Sequence, residues 1–381
     1  MSKITESNEI IRERIKVDRD GFDNQEDYNK YIEEHPEEMP IPQEMIEINA
    51  NYNINVTATP LYKIVDNLSG AWTNAVQKTF ILGSDIYILQ RNGANMRLTR
   101  CHIYLNTASA VDRMTLNNFG HSQTLDFIDY DSEGHPRFII ACKAGSTDYK
   151  WSLRIGRITY IAGTTKNDTD IPTLSSIEYA NIGGSSFGTL LRVDAGLSTN
   201  KSRLVIWAKS STGKNQYSVY NMSQISSIFD AKETAPSGSK DTPCTNSSVQ
   251  AALLSSVIQN ATNVMLPNNS FQGLDLKNND IIFIDGGKST DIPKVGYITT
   301  YILSSGTLYM TWLFNATVVD NAGELTSSGV EIESPQVIGD TLYCTFFFSN
   351  KTVANGRFYI YTIPISAFSL PNSVAEGKNE D

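Results

Sequence analysis

The chain has 381 residues, 40% hydrophobic and 19% charged, enough for one large domain or two ordinary ones. Its −10 net charge is uneven: residues 1–48 hold 14 acids against 6 bases, leaving 27 acids against 25 bases beyond them. That near-neutral body excludes a phosphate-backbone footprint, and no apolar run approaches the ~20 residues of a bilayer-spanning helix.

The abundance of Ser, Thr, Asn, Gly and Tyr fits an all-β protein with many exposed turns. The acidic leader, residues 1–50, has a different texture. Ile10-Ile11, Arg14-Ile15 and Val17 form a short amphipathic pattern. Asp23 stands three residues before Glu26, which predicts a helix opening there and running to about Glu34. Pro36, Pro40 and Pro42 then enforce an extended passage. The leader reads as a solvated segment or as an arm that docks a protein partner or a second copy. It is charged and lacks an apolar h-region, so no Sec-type signal peptide is visible.

From Tyr52 the pattern turns to β. Ile54 to Ile64 alternates and predicts a strand donated to the last repeat, closing a ring. Five related stretches follow, each a polar-flanked strand, a tight turn and a buried strand. They are Val76-Gln77 leading to 85–89, Gln123 to Phe127 leading to 137–141, Leu191-Arg192-Val193 leading to 203–207, Phe271 to Leu276 leading to 280–284, and Gln336-Val337 leading to 340–344. Their buried strands centre 53, 66, 77 and 61 residues apart. That spacing is longer than a hairpin and shorter than a domain. It predicts an all-β, five-bladed β-propeller over 51–371, with a flexible tail at 372–381. Within it, Ile177-Glu178-Tyr179 is expected as an outermost strand and Ser248 to Gln259 as a helix.

In a propeller the first strand of each blade faces the central channel. Four repeats place Gln there, Gln77, Gln123, Gln272 and Gln336, and the third carries Arg192 and Asp194. Such amides either satisfy one another or hydrogen-bond a polar ligand, with His121 beside them. Trp72, Trp151 and Trp312 have polar neighbours and offer faces for sugar rings, or else pack between blades.

Enzyme signatures fail one by one, and no catalytic residue is expected. Gly184-Ser185-Ser186-Phe187-Gly188 matches G-x-S-x-G, but a nucleophile elbow needs a following helix and a later His, and no His lies beyond His135. Gly287-Lys288-Ser289 resembles the end of a P-loop without its first Gly and reads as a hairpin loop. Asp126 and Asp275 hold equivalent repeat positions, which favours a structural role over a glycosidase pair. Asp129, Asp131 and Glu133 begin like a calcium loop, but Ile140 replaces its closing Glu, so only a weak Ca²⁺ site is conceivable and no cofactor is expected. The cysteines, Cys101, Cys142, Cys244 and Cys344, are far apart and read as buried free thiols.

Several stretches resemble the helveticin J family, the large heat-labile bacteriocins of lactic acid bacteria. Gly120-His121-Ser122-Gln123-Thr124-Leu125-Asp126-Phe127 is similar to that family's Gly-His-Thr-Gln-Thr-aromatic-acid-Phe. Ser270-Phe271-Gln272-Gly273-Leu274-Asp275-Leu276 is similar to its Ser-Ile-Gln-Gly-Tyr-Asp-Leu. Counterparts also exist for Ile171 to Ser175 and for Val330 to Gly339, so the likeness spans about 60–365. The resemblance implies a secreted antibacterial protein acting at the Gram-positive envelope, and it brings no catalytic residues. The acidic leader departs from the family. A leader able to dock elsewhere is similar to phage tail receptor-binding proteins, some of which bind wall teichoic acid through five-bladed propellers. Both readings expect recognition of a cell-wall glycopolymer, by a secreted protein or from a virion; a glycan hydrolase ranks third.

Overall fold

The computed structural model describes residues 53–262, 264–302, 306–352 and 356–369. The expected leader helix and the tail lie outside these residues. The β-branched and aromatic runs of the sequence become strands, and the fold is all-β. The first two strands are β1 (Asn53–Thr57) and β2 (Thr59–Val65). A first antiparallel meander comprises β3 (Val76–Leu82), β4 (Asp85–Asn92), β5 (Asn95–Tyr104) and β6 (Thr107–Asn117). A second comprises β7 (Leu125–Tyr130), β8 (Pro136–Ala144) and β9 (Ser152–Thr159); β10 (Thr165–Asn167) leaves it to pair with β6, and β11 (Thr173–Ser175) returns beside β9.

The third meander starts with β12 (Leu190–Leu197), β13 (Arg203–Ser210) and β14 (Asn215–Asn221). Helix α1 (Met222–Glu233), strand β15 (Asp241–Pro243) and helix α2 (Ser247–Ala252) intervene before its fourth strand, β16 (Leu253–Gln259). The fourth meander is β17 (Gly273–Lys277), β18 (Ile281–Gly286), β19 (Lys294–Ile302) and β20 (Leu308–Val319). The fifth is β21 (Val330–Ile338), β22 (Thr341–Phe348) and β23 (Phe358–Pro364).

The first strands of the meanders are neighbours in a ring: β3 lies beside β7, β7 beside β12, β12 beside β17, β17 beside β21, and β21 beside β3. An apolar cluster fills each gap between consecutive meanders. Leu89, Leu98, Phe138 and Ile158 pack between the first and second; Ile139, Ile155, Val193 and Ile206 between the second and third. Trp207, Tyr217, Ile282 and Ile298 follow, then Phe283, Val295, Phe346 and Ile363, then Ile360, Phe358, Ile86 and Ile88. Each sheet is therefore covered on both faces, which is why its middle strands read as unbroken apolar runs. Burying one such side chain contributes ~1.5–3 kcal/mol. The first strands approach so closely that a side chain at Gly196 of β12 would collide with Leu274 of β17. All four cysteines are buried free thiols, and burial pushes Cys244 up to about 12.

Several expected elements differ. The strand expected over Ile54 to Ile64 changes partner near Ala58. β1 runs parallel to β20 on the fourth meander, and only β2 pairs antiparallel with β23 to complete the fifth. Pro60 cannot donate a ladder hydrogen bond, and the register slips between Pro60 and Tyr62. β2 also runs parallel to β6, so one strand joins the last meander to the first. The helix expected over Ser248 to Gln259 lasts only through α2; β16 then covers the edge of β14, as suits Val257 and Ile258. Helix α1 was not expected, although Asn221 caps it by accepting from the N–H groups of Ser223 and Gln224. Ile177–Tyr179 is a 3-10 turn rather than a strand, entered through Ser176 at φ 51°. The outermost strands of that sheet are β11 and β15.

Candidate functional site

The ring has an opening at each end. The first, of about 550 Å³, lies where the inner strands begin and gathers Gln77, His121, Trp151, Arg192 and Gln272 from four meanders. Gln123 and Asp194 lie directly beneath.

Arg192 is the hub. Its Nε donates to Asp194 Oδ2 at 2.8 Å, one Nη to the Phe271 carbonyl at 3.0 Å, and the other Nη to Gln123 Oε1. Its guanidinium lies 3.8 Å from the Trp151 ring centre and 4.9 Å from that of Phe271. Every nitrogen of Arg192 is thus committed inside the protein. Burial lowers its pKa and raises that of Asp194; each charge opposes the shift of the other. Asp194 Oδ1 in turn accepts from the Gln123 backbone N–H at 2.8 Å. Arg192 thus lines the opening with its donors already engaged, and Asp194 lies beneath it, bonded to Arg192 and Gln123.

The amides form a relay across the bore. Gln123 Nε2 donates to Gln272 Oε1 at 2.9 Å and to Glu333 Oε2 at 2.8 Å, and Gln272 Nε2 donates to Glu331 Oε1 at 2.7 Å. Glu333, not Gln336, therefore stands at the amide level of the fifth meander. Gln336 sits at the opposite opening, where its side chain brackets Ile81, accepting from its N–H at 2.7 Å and donating to its carbonyl at 3.1 Å. The inner strand β21 begins at Val330, earlier than the Gln-based alignment assumed, and that offset misplaced Gln336.

His121 bonds Gln77 through Nε2 and faces Arg91 through Nδ1 at 3.4 Å. With an Arg donor at Nδ1, the proton resides on Nε2 and Gln77 Oε1 accepts it. Burial, then Arg192 and Arg91, hold His121 well below its ordinary pKa, so the ring is neutral. It stacks on Trp151 with centres 4.0 Å apart and planes at 11°. Trp151 is thus engaged by both His121 and Arg192. The aromatic face left for a ligand belongs to Tyr149, which is 63% exposed and stacks beside Trp151 at 5.8 Å.

Trp72 and Trp312 do not line this opening. Trp72 lies under the Arg97 guanidinium at 4.0 Å, and Trp312 covers Gly296 between β19 and β20. Residues that the sequence reading missed do line it: Tyr149, Lys209, Lys288, Glu331, Glu333, and Trp207 with a buried indole N–H that has no partner. Lys209 is the penultimate residue of β13 and Lys288 stands two residues past β18, so both lie near the end of the second strand of a meander, a shared position that could have revealed them. Burial and the proximity of Arg192 and Lys288 lower the Lys209 pKa. Neither lysine Nζ has a partner among the described residues.

The acidic turn does not converge on a cation. Asp129 makes two 2.6 Å bonds to Arg137, while Asp131 accepts from the Glu133 and His135 N–H groups at 2.9 and 2.8 Å. Among the described residues, no group of three His, Cys, Asp or Glu is arranged to hold a metal ion. No helix among them is long and apolar enough to cross a membrane.

Glu333 gives a pH prediction. Burial, then Glu331 and Asp285, raise its pKa well above the ordinary value of 4.5. The folded form thus retains a proton that the unfolded form releases, and stability falls as pH rises past that ordinary value. The wild type should lose up to ~1.4 kcal/mol per pH unit relative to Glu333→Gln, for as long as the folded carboxyl stays protonated. Urea titrations at several pH values between 5 and 7.5 measure this; parallel stability curves would refute it.

Fold and opening together define an all-β protein with a ligand-sized polar mouth. Residues 49–366 match the family described as Bacteriocin helveticin-J, and the chain belongs to that family. No curated protein sequence matches it significantly. Among solved structures, the WD40 domain of Toxoplasma gondii coronin is 11% identical, with 81% of this chain and 77% of that one covered and a TM-score of 0.33. A putative 6-phosphogluconolactonase from Bacteroides uniformis is 8% identical, with coverages of 78% and 89% and a TM-score of 0.33. The polysaccharide lyase Uly1 is 10% identical, with coverages of 81% and 98% and a TM-score of 0.31. Likeness at these scores transfers neither fold nor activity.

Proposed function

We propose that the chain is a five-bladed β-propeller that binds a Gram-positive cell-wall glycopolymer at its first opening, without cleaving it, as the recognition step of an antibacterial protein. The observation that carries this reading is the open Tyr149 face beside the unpaired Lys209 and Lys288, over a mouth lined by amides. An anionic glycopolymer of the teichoic acid type presents matching groups. Its sugar or polyol faces stack on an aromatic ring, its hydroxyls pair with amides and carboxyls, and its phosphates pair with ammonium groups. Family membership supports the antibacterial role and action outside the producing cell.

The test is a pull-down of the full chain on purified Gram-positive walls, intact or stripped of teichoic acid. Retention on intact walls and loss on stripped walls is expected. Equal retention on both, or release of reducing sugar from the walls, would overturn the reading. Spotting the purified chain on a lawn separates killing from binding alone.

A further inference from the structure

Among the described residues, two ion pairs are buried at both partners, and they differ. Arg192 and Asp194 touch at 2.8 Å, and Asp194 Oδ1 also accepts from the Gln123 N–H and the Thr124 hydroxyl at 2.8 and 3.1 Å. Lys78 of β3 and Asp126 of β7 share no hydrogen bond. Their side chains are 0% and 3% exposed, yet Lys78 Nζ stands 3.9 Å from Asp126 Oδ1, and that oxygen has no hydrogen-bond partner. Asp126 Oδ2 accepts from the Leu197 N–H at 3.2 Å. Lys78 Nζ donates to the Pro335 carbonyl at 2.5 Å, its one hydrogen bond among the described residues.

A buried ion pair without a direct hydrogen bond is the costly kind, because both charges have left water and neither has a full set of partners. Two more buried acids stand near it. Asp275 is fixed by the Leu276 N–H at 2.8 Å and the Val337 N–H at 2.6 Å, and Asp285 has no partner at either oxygen. Burial raises the pKa of all three aspartates, and Asp126 adds to the shift of Asp275. Asp275 is therefore a carboxylic acid at neutral pH, next to an amine-bearing chain and a second carboxyl. Asp126 and Asp275 both line the opposite opening, of about 510 Å³, so a small molecule released between them has an exit.

We propose that Lys78 and Asp126 condense into an intramolecular amide, Lys78 Nζ to Asp126 Cγ, which staples the first meander to the second. The Lys78 ammonium first passes a proton to the Asp126 carboxylate, leaving a neutral amine and a neutral acid. The amine lone pair attacks Asp126 Cγ and forms the C–N bond. Asp275 gives its proton to one hydroxyl of the adduct, which departs as water when its C–O bond breaks. Asp275 then recovers a proton from the nitrogen and ends unchanged. No oxidant, reductant or second substrate is needed. Well-oriented groups react as if at roughly 10⁵–10⁸ M, and the product carries no charge, so the burial that penalises the ion pair favours the amide. The staple closes the ring between neighbouring inner strands of a chain whose four cysteines are all free. It stands whether or not the first opening binds a glycopolymer.

Electrospray mass spectrometry of the purified full chain tests it. The folded wild type should weigh one water less than its sequence. Trypsin should leave Lys78 uncut, and residues 64–91 should be joined to 114–137 in one branched peptide. Lys78→Arg and Asp126→Ala should each show the full mass of its own sequence. Asp275→Asn should slow formation by at least about tenfold. The wild-type mass requires no variant to fold. Full sequence mass in the folded wild type after prolonged incubation would overturn the proposal. So would a missing water that persists in Lys78→Arg, or a branched peptide that joins other residues.

Discussion

Replacing Arg192 with Met should lower the unfolding free energy by about 3–5 kcal/mol, the cost of removing one partner from a buried ion pair. The substitution keeps the aliphatic bulk between Trp151 and Phe271 but removes every donor. Asp194 Oδ2 loses its 2.8 Å partner, Gln123 Oε1 loses its donor, and the Phe271 carbonyl loses a 3.0 Å bond, all in buried surroundings. An uncompensated carboxylate then either takes up a proton or draws in water, and both cost free energy. The loss should exceed that from Asp194→Asn, which leaves a guanidinium still held by Gln123, Phe271 and Trp151. Urea unfolding followed by tryptophan fluorescence measures both variants. A loss under 1 kcal/mol for Arg192→Met would mean that Arg192 is not the structural hub of the bore.

Reversing two charges at the first mouth should have the largest functional effect. Lys209→Glu combined with Lys288→Glu should weaken binding to intact walls by roughly 10- to 100-fold, equivalent to about 1.4–2.8 kcal/mol. Neither ammonium group supports the fold through a hydrogen bond or ion pair among the described residues, so stability should change by less than about 0.5 kcal/mol. Wild-type binding should also weaken with salt, since exposed charges are screened over ~10 Å at 0.1 M, and the double variant should lose that dependence. Undiminished wall binding by a folded double variant would remove the lysines from the site and the anionic character from the ligand. Tyr149, on the same rim, would then carry the contact alone.

The sequence made the β class legible because strand composition and period are local properties. The buried runs at 86–89, 138–142, 204–208, 282–284 and 342–348 all became second strands of meanders. The amide level was half legible. Gln77, Gln123 and Gln272 do meet near one mouth, but Gln336 went to the other because the inner strand of its meander begins six residues before it. The lysines at the mouth were missed because the amide level was read from the inner strands alone, whereas Lys209 and Lys288 stand near the ends of second strands. Trp151 does line that mouth, but how much of its face stays open depended on whether His121, beside it on the second meander, and Arg192, from the third, would stack on it.

Residue pattern alone determined the sheet class, the recurrence of the repeat and the burial of the four thiols, because each follows from alternation and composition within a few residues. Tertiary structure decided what neighbours what. It sent β1 and β2 to different meanders, turned Arg192 inward onto Gln123 and Phe271, and left Asp126 and Asp275 together over a single buried lysine. Those outcomes join residues some 70 to 300 positions apart, such as Asp126 with Leu197 and Thr59 with Thr362, and local pattern carries no term for such pairings.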